Sequence, residues 1–72
     1  MREHFEEELS KLSNALVEMG ALCEDAISCA VKYLLKNDAQ MKKNAAEAEK
    51  QIDQKEREIE TMCMRLLIQQ QP

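Results

Sequence analysis

Hydrophobic residues recur at alternating steps of four and three along the first half of the chain. The series runs Phe5, Leu9, Leu12, Leu16, Met19, Cys23, Ala26, Ala30 and Tyr33. A repeat that averages 3.5 residues is typical of helices that supercoil around a partner. The sequence therefore predicts one long amphipathic helix over about residues 3–36.

Further apolar residues widen the face of this first helix. Ala15, Leu22 and Cys29 lie on one side of the series, and Ile27 and Leu34 lie on the other. A face wider than a two-stranded seam predicts contact with two neighbouring helices. Gly20 lies in the middle of the helix, where glycine costs up to about 1 kcal/mol relative to alanine. We interpret it as a point of close approach by another helix, in preference to simple tolerance.

A second periodic segment begins after Asn37 and Asp38. Its seam consists of Met41, Ala45, Ala48, Ile52, Lys55, Ile59, Met62 and Leu66, with Cys63 and Leu67 on the flank. Asp38 is a favourable N-cap residue, so the second helix is predicted over about residues 39–70. A short polar link between two helices, each about 45 Å long, predicts an all-α antiparallel hairpin.

The hairpin has few large side chains with which to build a core. The 72 residues include two aromatic residues and no tryptophan, and a domain this small is marginally stable on its own. We therefore predict a homo-oligomer in which two or more hairpins form a four-helix or larger bundle. The predicted interface residues are Leu9, Leu12, Leu16, Met19, Ile27, Ile52, Ile59, Met62 and Leu66.

Charge and composition exclude several classes of protein. The net charge is −4 and basic residues are dispersed among acids, which argues against nucleic-acid binding. The acidic start, which includes Glu3, is unlike a signal peptide, and no apolar run is long enough to span a membrane. A cytoplasmic protein is expected. Cys23, Cys29 and Cys63 have no metal-site spacing, so reduced, buried cysteines are favoured over a disulfide.

Four acidic residues, Glu49, Asp53, Glu56 and Glu60, recur at helical spacing on the second helix. Residues three or four positions apart are neighbours on a helix, so these carboxylates repel one another unless something compensates them. Water, the nearby Lys50 and Arg57, or iron or another divalent metal would do so. A solvated face is the favoured interpretation, and a weak metal site at Glu49 and Asp53 is the alternative.

Catalytic chemistry is not visible in the sequence. His4, the single histidine, lies near the start of the first helix and is interpreted as a surface residue. No serine or cysteine has a histidine at a plausible helical spacing, and there is no glycine-rich phosphate loop. A carboxylate-bridged di-iron enzyme would need Glu-x-x-His pairs, which are absent. We predict a protein that is not an enzyme.

An ordered set of residues runs through the whole chain. It begins with Met1-Arg2-x-x-Phe5, Leu9 and Leu12, followed by Met19-Gly20 and Ala26-Ile27. It continues through Asp38, Glu49-x-x-Ile52-Asp53-x-x-Glu56-x-x-Ile59-Glu60, Cys63 and Gln70-Gln71-Pro72. In this set the chain resembles the start of the PhoU family of phosphate-transport regulators. Residues 1–72 are thus expected to be a partial PhoU-like helical domain, equivalent to the first two helices of a three-helix bundle.

The resemblance implies a function beyond what the residues themselves indicate. It implies a non-catalytic negative regulator of phosphate uptake and phosphate-starvation signalling, with a sensor histidine kinase and the phosphate ABC transporter as partners. The family's acidic motif, which holds iron or other metals, maps onto Glu49 and Asp53. Lys55 departs from the leucine usual at that position and weakens the metal interpretation. The alternative is a generic helical-hairpin interaction module that resembles the family through heptad composition alone.

Overall fold

The structure is a computed structural model that describes residues 2–69, and these residues form two long helices. Helix α1 spans Arg2–Lys36 and helix α2 spans Ala39–Gln69. They pack side by side in a rod of 55 × 15 × 12 Å, and residues 2–69 contain no strand. The predicted all-α hairpin is confirmed. The terminal motifs at Met1 and at Gln70-Gln71-Pro72 lie outside the described residues.

The reversal between the helices takes two residues. Asn37 adopts a left-handed backbone with φ of 53°, and its N–H donates to the carbonyl of Tyr33 at 2.7 Å. This arrangement ends a helix by satisfying one of its last free carbonyls. Asp38 then caps α2, since its carboxylate accepts a hydrogen bond from the backbone N–H of Gln40 at 2.9 Å. The N-cap predicted at Asp38 is confirmed.

Two of the three buried apolar side chains are small. Ala15 and Ala48 are buried, with exposed fractions of 4% and 8%, and Leu66 is buried near the end of α2. Glu8 is also buried, and its carboxylate lies 3.6 Å from the ammonium of Lys11 one turn along α1. Among the described residues, no buried side-chain nitrogen or oxygen lacks a partner.

The seam predicted for α1 is only partly enclosed. Leu12 and Met19 are half-buried against α2, whereas Leu9 and Leu16 remain 42% and 52% exposed. Ala15, on one flank of the seam, is more deeply buried than Leu9 or Leu16, so α1 turns that flank toward α2. This orientation leaves the two larger leucines partly exposed.

Candidate functional surfaces

An exposed row of apolar residues follows α1 on the side that α2 does not cover. We call it the outer stripe, and its members are Leu9, Leu16, Val17, Gly20, Ile27, Val31, Leu34 and Leu35. Their large side chains are between 42% and 79% exposed. A large exposed apolar patch on a protein often marks a surface that binds another molecule.

Gly20 lies in the middle of the outer stripe. A Cβ added at this position would meet no atom within 4 Å, so α2 does not approach it. The close approach predicted from this glycine is therefore not made within the hairpin. The space above Gly20 is open to a helix from elsewhere.

The predicted interface residues fall into two groups. Leu12, Met19, Ile52, Ile59, Met62 and Leu66 are half-buried or buried between the two helices. Leu9, Leu16 and Ile27 instead belong to the outer stripe, and Ile27 is 65% exposed. The first group holds the hairpin together, so only the second is free to contact another molecule. The oligomer itself stays a prediction.

The acidic row on α2, made of Glu49, Asp53, Glu56 and Glu60, is exposed along its whole length. None of the four takes part in the ion pairs recorded among residues 3–69. Within the described part of the chain, no three histidine, cysteine, aspartate or glutamate residues are grouped closely enough to hold a metal ion. A metal here would need ligands beyond this row, and metal binding stays a prediction.

Lys55 joins the two helices electrostatically. Its ammonium lies 2.7 Å from a carboxylate oxygen of Glu18 on α1 and 3.1 Å from one of Glu58 on α2. The Lys55 side chain is 19% exposed, because its stem crosses the apolar seam and its charged end reaches the edge. The hydrogen bond to Glu18, then that to Glu58, raises the pKa of Lys55. Lys55 thus neutralises Glu18 and Glu58 rather than the acidic row.

Two contacts between the helices were not predicted from the sequence. The partnership of Lys55 with Glu18 depends on the register of two helices that are 37 positions apart in sequence. A cation–π contact places the ammonium of Lys42 5.6 Å from the centre of the Tyr33 ring. The two-residue link would have predicted the second contact, since it brings the last turn of α1 beside the first turn of α2.

The remaining candidate groups are not assembled into a site. His4 is exposed, and the three cysteines are free and half-buried instead of fully buried. A shallow groove on α2, lined by Arg57, Glu58, Thr61, Met62 and Arg65, is open to solvent. None of the helices in the described residues is both long and apolar enough to cross a membrane.

These observations define an all-α hairpin with one exposed apolar face and an acidic second helix. Residues 16–72 match the PhoU domain family model. The chain belongs to the PhoU family, as its resemblance indicated.

Relatives of known family share about a third of their aligned residues with the chain. It is 34% identical over 70 residues to the phosphate-specific transport system accessory protein PhoU homologs of Pseudomonas putida and Pseudomonas aeruginosa. Each of these two alignments covers 97% of this chain, but they cover only 27% of the P. putida protein and 29% of the P. aeruginosa protein. The homolog of Synechocystis is also 34% identical, over 99% of this chain and 32% of its own length. No solved structure is significantly similar to the chain.

Proposed function

We propose that this chain acts as an accessory protein of phosphate transport that restrains phosphate uptake and the phosphate-starvation response. Membership of the PhoU family carries the proposal, because the relatives bear the name phosphate-specific transport system accessory protein. The chain spans between 27% and 32% of the length of these relatives, so it corresponds to only a part of each of them.

Action by contact with another protein is part of this proposal. The exposed surface supports it, because it carries an apolar stripe on α1 and an acidic row on α2. A surface of this kind suits binding to another protein. The proposed partners are a sensor histidine kinase and the phosphate ABC transporter, both reached from the cytoplasm.

Metal binding is a separate proposal within this function. Carboxylate oxygens suit iron or another divalent metal, but four exposed acids on one helix supply an incomplete ligand set. We therefore expect weak binding through Glu49 and Asp53, with Glu56 and Glu60 as further ligands. Calorimetric titration with Fe²⁺ or Mn²⁺ should give less heat for Asp53→Ala than for the wild type. Equal titrations would remove Asp53 from the site.

Deletion of the gene tests the regulatory proposal. In phosphate-rich medium, the deletion strain should take up radiolabelled phosphate faster than the parent and should express a phosphate-starvation reporter. Return of the wild-type gene should restore both values. Unchanged uptake and an unchanged reporter in the deletion strain would contradict the proposal.

The exposed outer stripe also favours the second candidate, a helical interaction module with no role in phosphate transport. The two functions differ in the phenotype of the deletion strain. Such a module would leave phosphate uptake unchanged, yet the protein would still capture a partner through Leu16 and Ile27.

A further inference from the structure

We propose that the tip of the hairpin docks end-on on an anionic lipid membrane, with its two adjacent leucines entering the membrane surface. The tip is the segment of residues 32–43, which holds the last turn of α1, the link and the first turn of α2. Four lysines and one aspartate give the tip a charge of +3. Since the whole chain carries −4, the remaining residues carry −7. A basic end on an otherwise acidic rod indicates an anionic partner.

The four lysines of the tip are available to an outside partner. They are Lys32, Lys36, Lys42 and Lys43. All four are exposed, and none takes part in the ion pairs recorded among residues 3–69. Asp38 is the single acid of the tip, and its carboxylate accepts the hydrogen bond from the backbone N–H of Gln40 that caps α2.

The apolar side chains of the tip favour a lipid surface over an acidic protein. Leu34 and Leu35 are 78% and 79% exposed, the highest values among the large apolar residues that the structure describes. Peripheral membrane proteins place such side chains at the boundary of headgroups and acyl chains, while lysines contact the anionic headgroups. Interfaces between proteins are instead depleted in lysine and enriched in arginine, and the tip contains no arginine.

The length of the rod separates the tip from the acidic remainder. At 1.5 Å per residue, the four lysines lie within about 8 Å of the turn along the helix axis, about one Debye length at physiological ionic strength. Glu47 is the next acid along α2 and lies about 14 Å from the turn, and Asp25 on α1 lies about 19 Å from it. A membrane at the tip of this 55 Å rod is therefore screened from most of the negative charge.

Side-chain direction brings two of the lysines closest to such a membrane. The Cα–Cβ bonds of a helix tilt toward its N-terminus, and the N-terminus of α2 is at the tip. Lys42 and Lys43 therefore lean toward the turn. These two residues are the best positions at which to test the proposal.

Co-sedimentation with lipid vesicles measures the binding directly. At low ionic strength the chain should bind vesicles made of equal parts of phosphatidylglycerol and phosphatidylcholine, and it should not bind phosphatidylcholine alone. Added salt should weaken the binding because it screens the lysines. A lack of binding to the anionic vesicles at low ionic strength would overturn the proposal and would assign the tip to an acidic protein. The assay contains neither transporter nor kinase, so its result is independent of the proposed regulatory function.

A pair of charge reversals tests the position of the binding surface. Lys42→Glu with Lys43→Glu should lower the partition coefficient at least about tenfold, because each lysine at an anionic surface contributes about fivefold. Arg57→Glu with Arg65→Glu is the matched control. It makes the same change in net charge at exposed positions of α2 outside the tip, so it should bind like the wild type. Equal losses for the two pairs would show that net charge alone governs binding, and would overturn the assignment to the tip.

Two further variants separate charge from apolar contact. Lys42→Arg with Lys43→Arg keeps both charges and should bind like the wild type. Leu35→Ser keeps the net charge and should bind about threefold more weakly, because it removes apolar surface that enters the bilayer. Leu67→Ser is its control, since Leu67 is 62% exposed near the other end of the rod. Circular dichroism verifies the helix content of every variant, and unchanged binding of a folded Leu35→Ser would contradict the proposed insertion of the tip.

Discussion

The packing of the hairpin predicts unequal effects for two adjacent leucines, Leu66 and Leu67. Leu66 is 7% exposed between the helices, whereas Leu67 is 62% exposed. Substitution by alanine removes three carbon groups from each, at about 0.8 kcal/mol per fully buried group. Scaled by burial, the loss in the free energy of unfolding is about 2.2 kcal/mol for Leu66→Ala and about 0.9 kcal/mol for Leu67→Ala.

Two further effects change the stability of the variants. The first acts on Leu66→Ala alone, and the second acts equally on both variants. A cavity left between the helices adds to the cost at Leu66 unless the open end of the hairpin collapses around it. The gain in helix propensity from leucine to alanine is small and is the same at both positions. For a domain of this size, 1 kcal/mol corresponds to a change in Tm of about 4–8 °C. The Tm of Leu66→Ala should therefore fall further than that of Leu67→Ala by at least about 5 °C.

Thermal unfolding followed by circular dichroism measures both values. Both variants and the wild type must be compared at one protein concentration, because association makes Tm depend on concentration. Equal losses at the two positions, or a larger loss for Leu67→Ala, would show that α2 packs through a different face and would contradict the burial of Leu66 between the helices.

Three further predictions concern the turn and the ion pair. Asn37→Ala should cost about 1 kcal/mol of stability because of its left-handed backbone, whereas Asn37→Gly should cost nothing; chemical denaturation distinguishes them. Asp38→Ala should cost about 1 kcal/mol through loss of the cap on Gln40, and Asp38→Asn should retain most of it. The hydrogen bonds to Glu18 and Glu58 raise the pKa of Lys55 above its ordinary value of 10.5, so the stabilisation is complete below that value and is lost as the pH rises through the folded-state pKa. The Tm of the wild type should thus decline relative to Lys55→Met as the pH rises above the unfolded pKa of lysine, and a constant difference would contradict the ion pair.

The helical hairpin was predictable because its signals are local and repeated. Alternation of apolar residues at steps of four and three persists through both halves of the chain, and Asp38 marks the start of α2. The left-handed conformation of Asn37 follows the same logic, since asparagine tolerates it better than most residues. Such features need no knowledge of how the two helices pack.

The orientation of α1 about its own axis was not predictable from the same pattern. Leu16 is a better core residue than Ala15 by hydrophobicity, yet Ala15 is buried and Leu16 is half exposed. The choice depends on how closely the helices approach, which the small residues Ala15 and Ala48 permit. The partner of Lys55 is likewise determined by register, because Glu18 lies on the other helix.

The exposure of the acidic residues was predictable from the sequence, whereas metal binding was not, for a related reason. Periodicity correctly placed Glu49, Asp53, Glu56 and Glu60 on one exposed row. Whether carboxylates bind a metal depends on ligands from other elements, which a pattern on one helix does not specify. The interface list combined residues of the hairpin contact, such as Ile59, with outer-stripe residues, such as Ile27, because both recur at helical spacing.

The proposed regulation of phosphate uptake depends on the outer stripe of α1. Phosphate uptake in a strain that lacks the gene tests it directly, with the strain complemented at equal protein levels by the wild type, Leu16→Glu or Met64→Glu, a control on α2 where Met64 is 57% exposed. The wild type and Met64→Glu should restore normal uptake, and Leu16→Glu should leave it elevated. Full restoration by Leu16→Glu would contradict the claim.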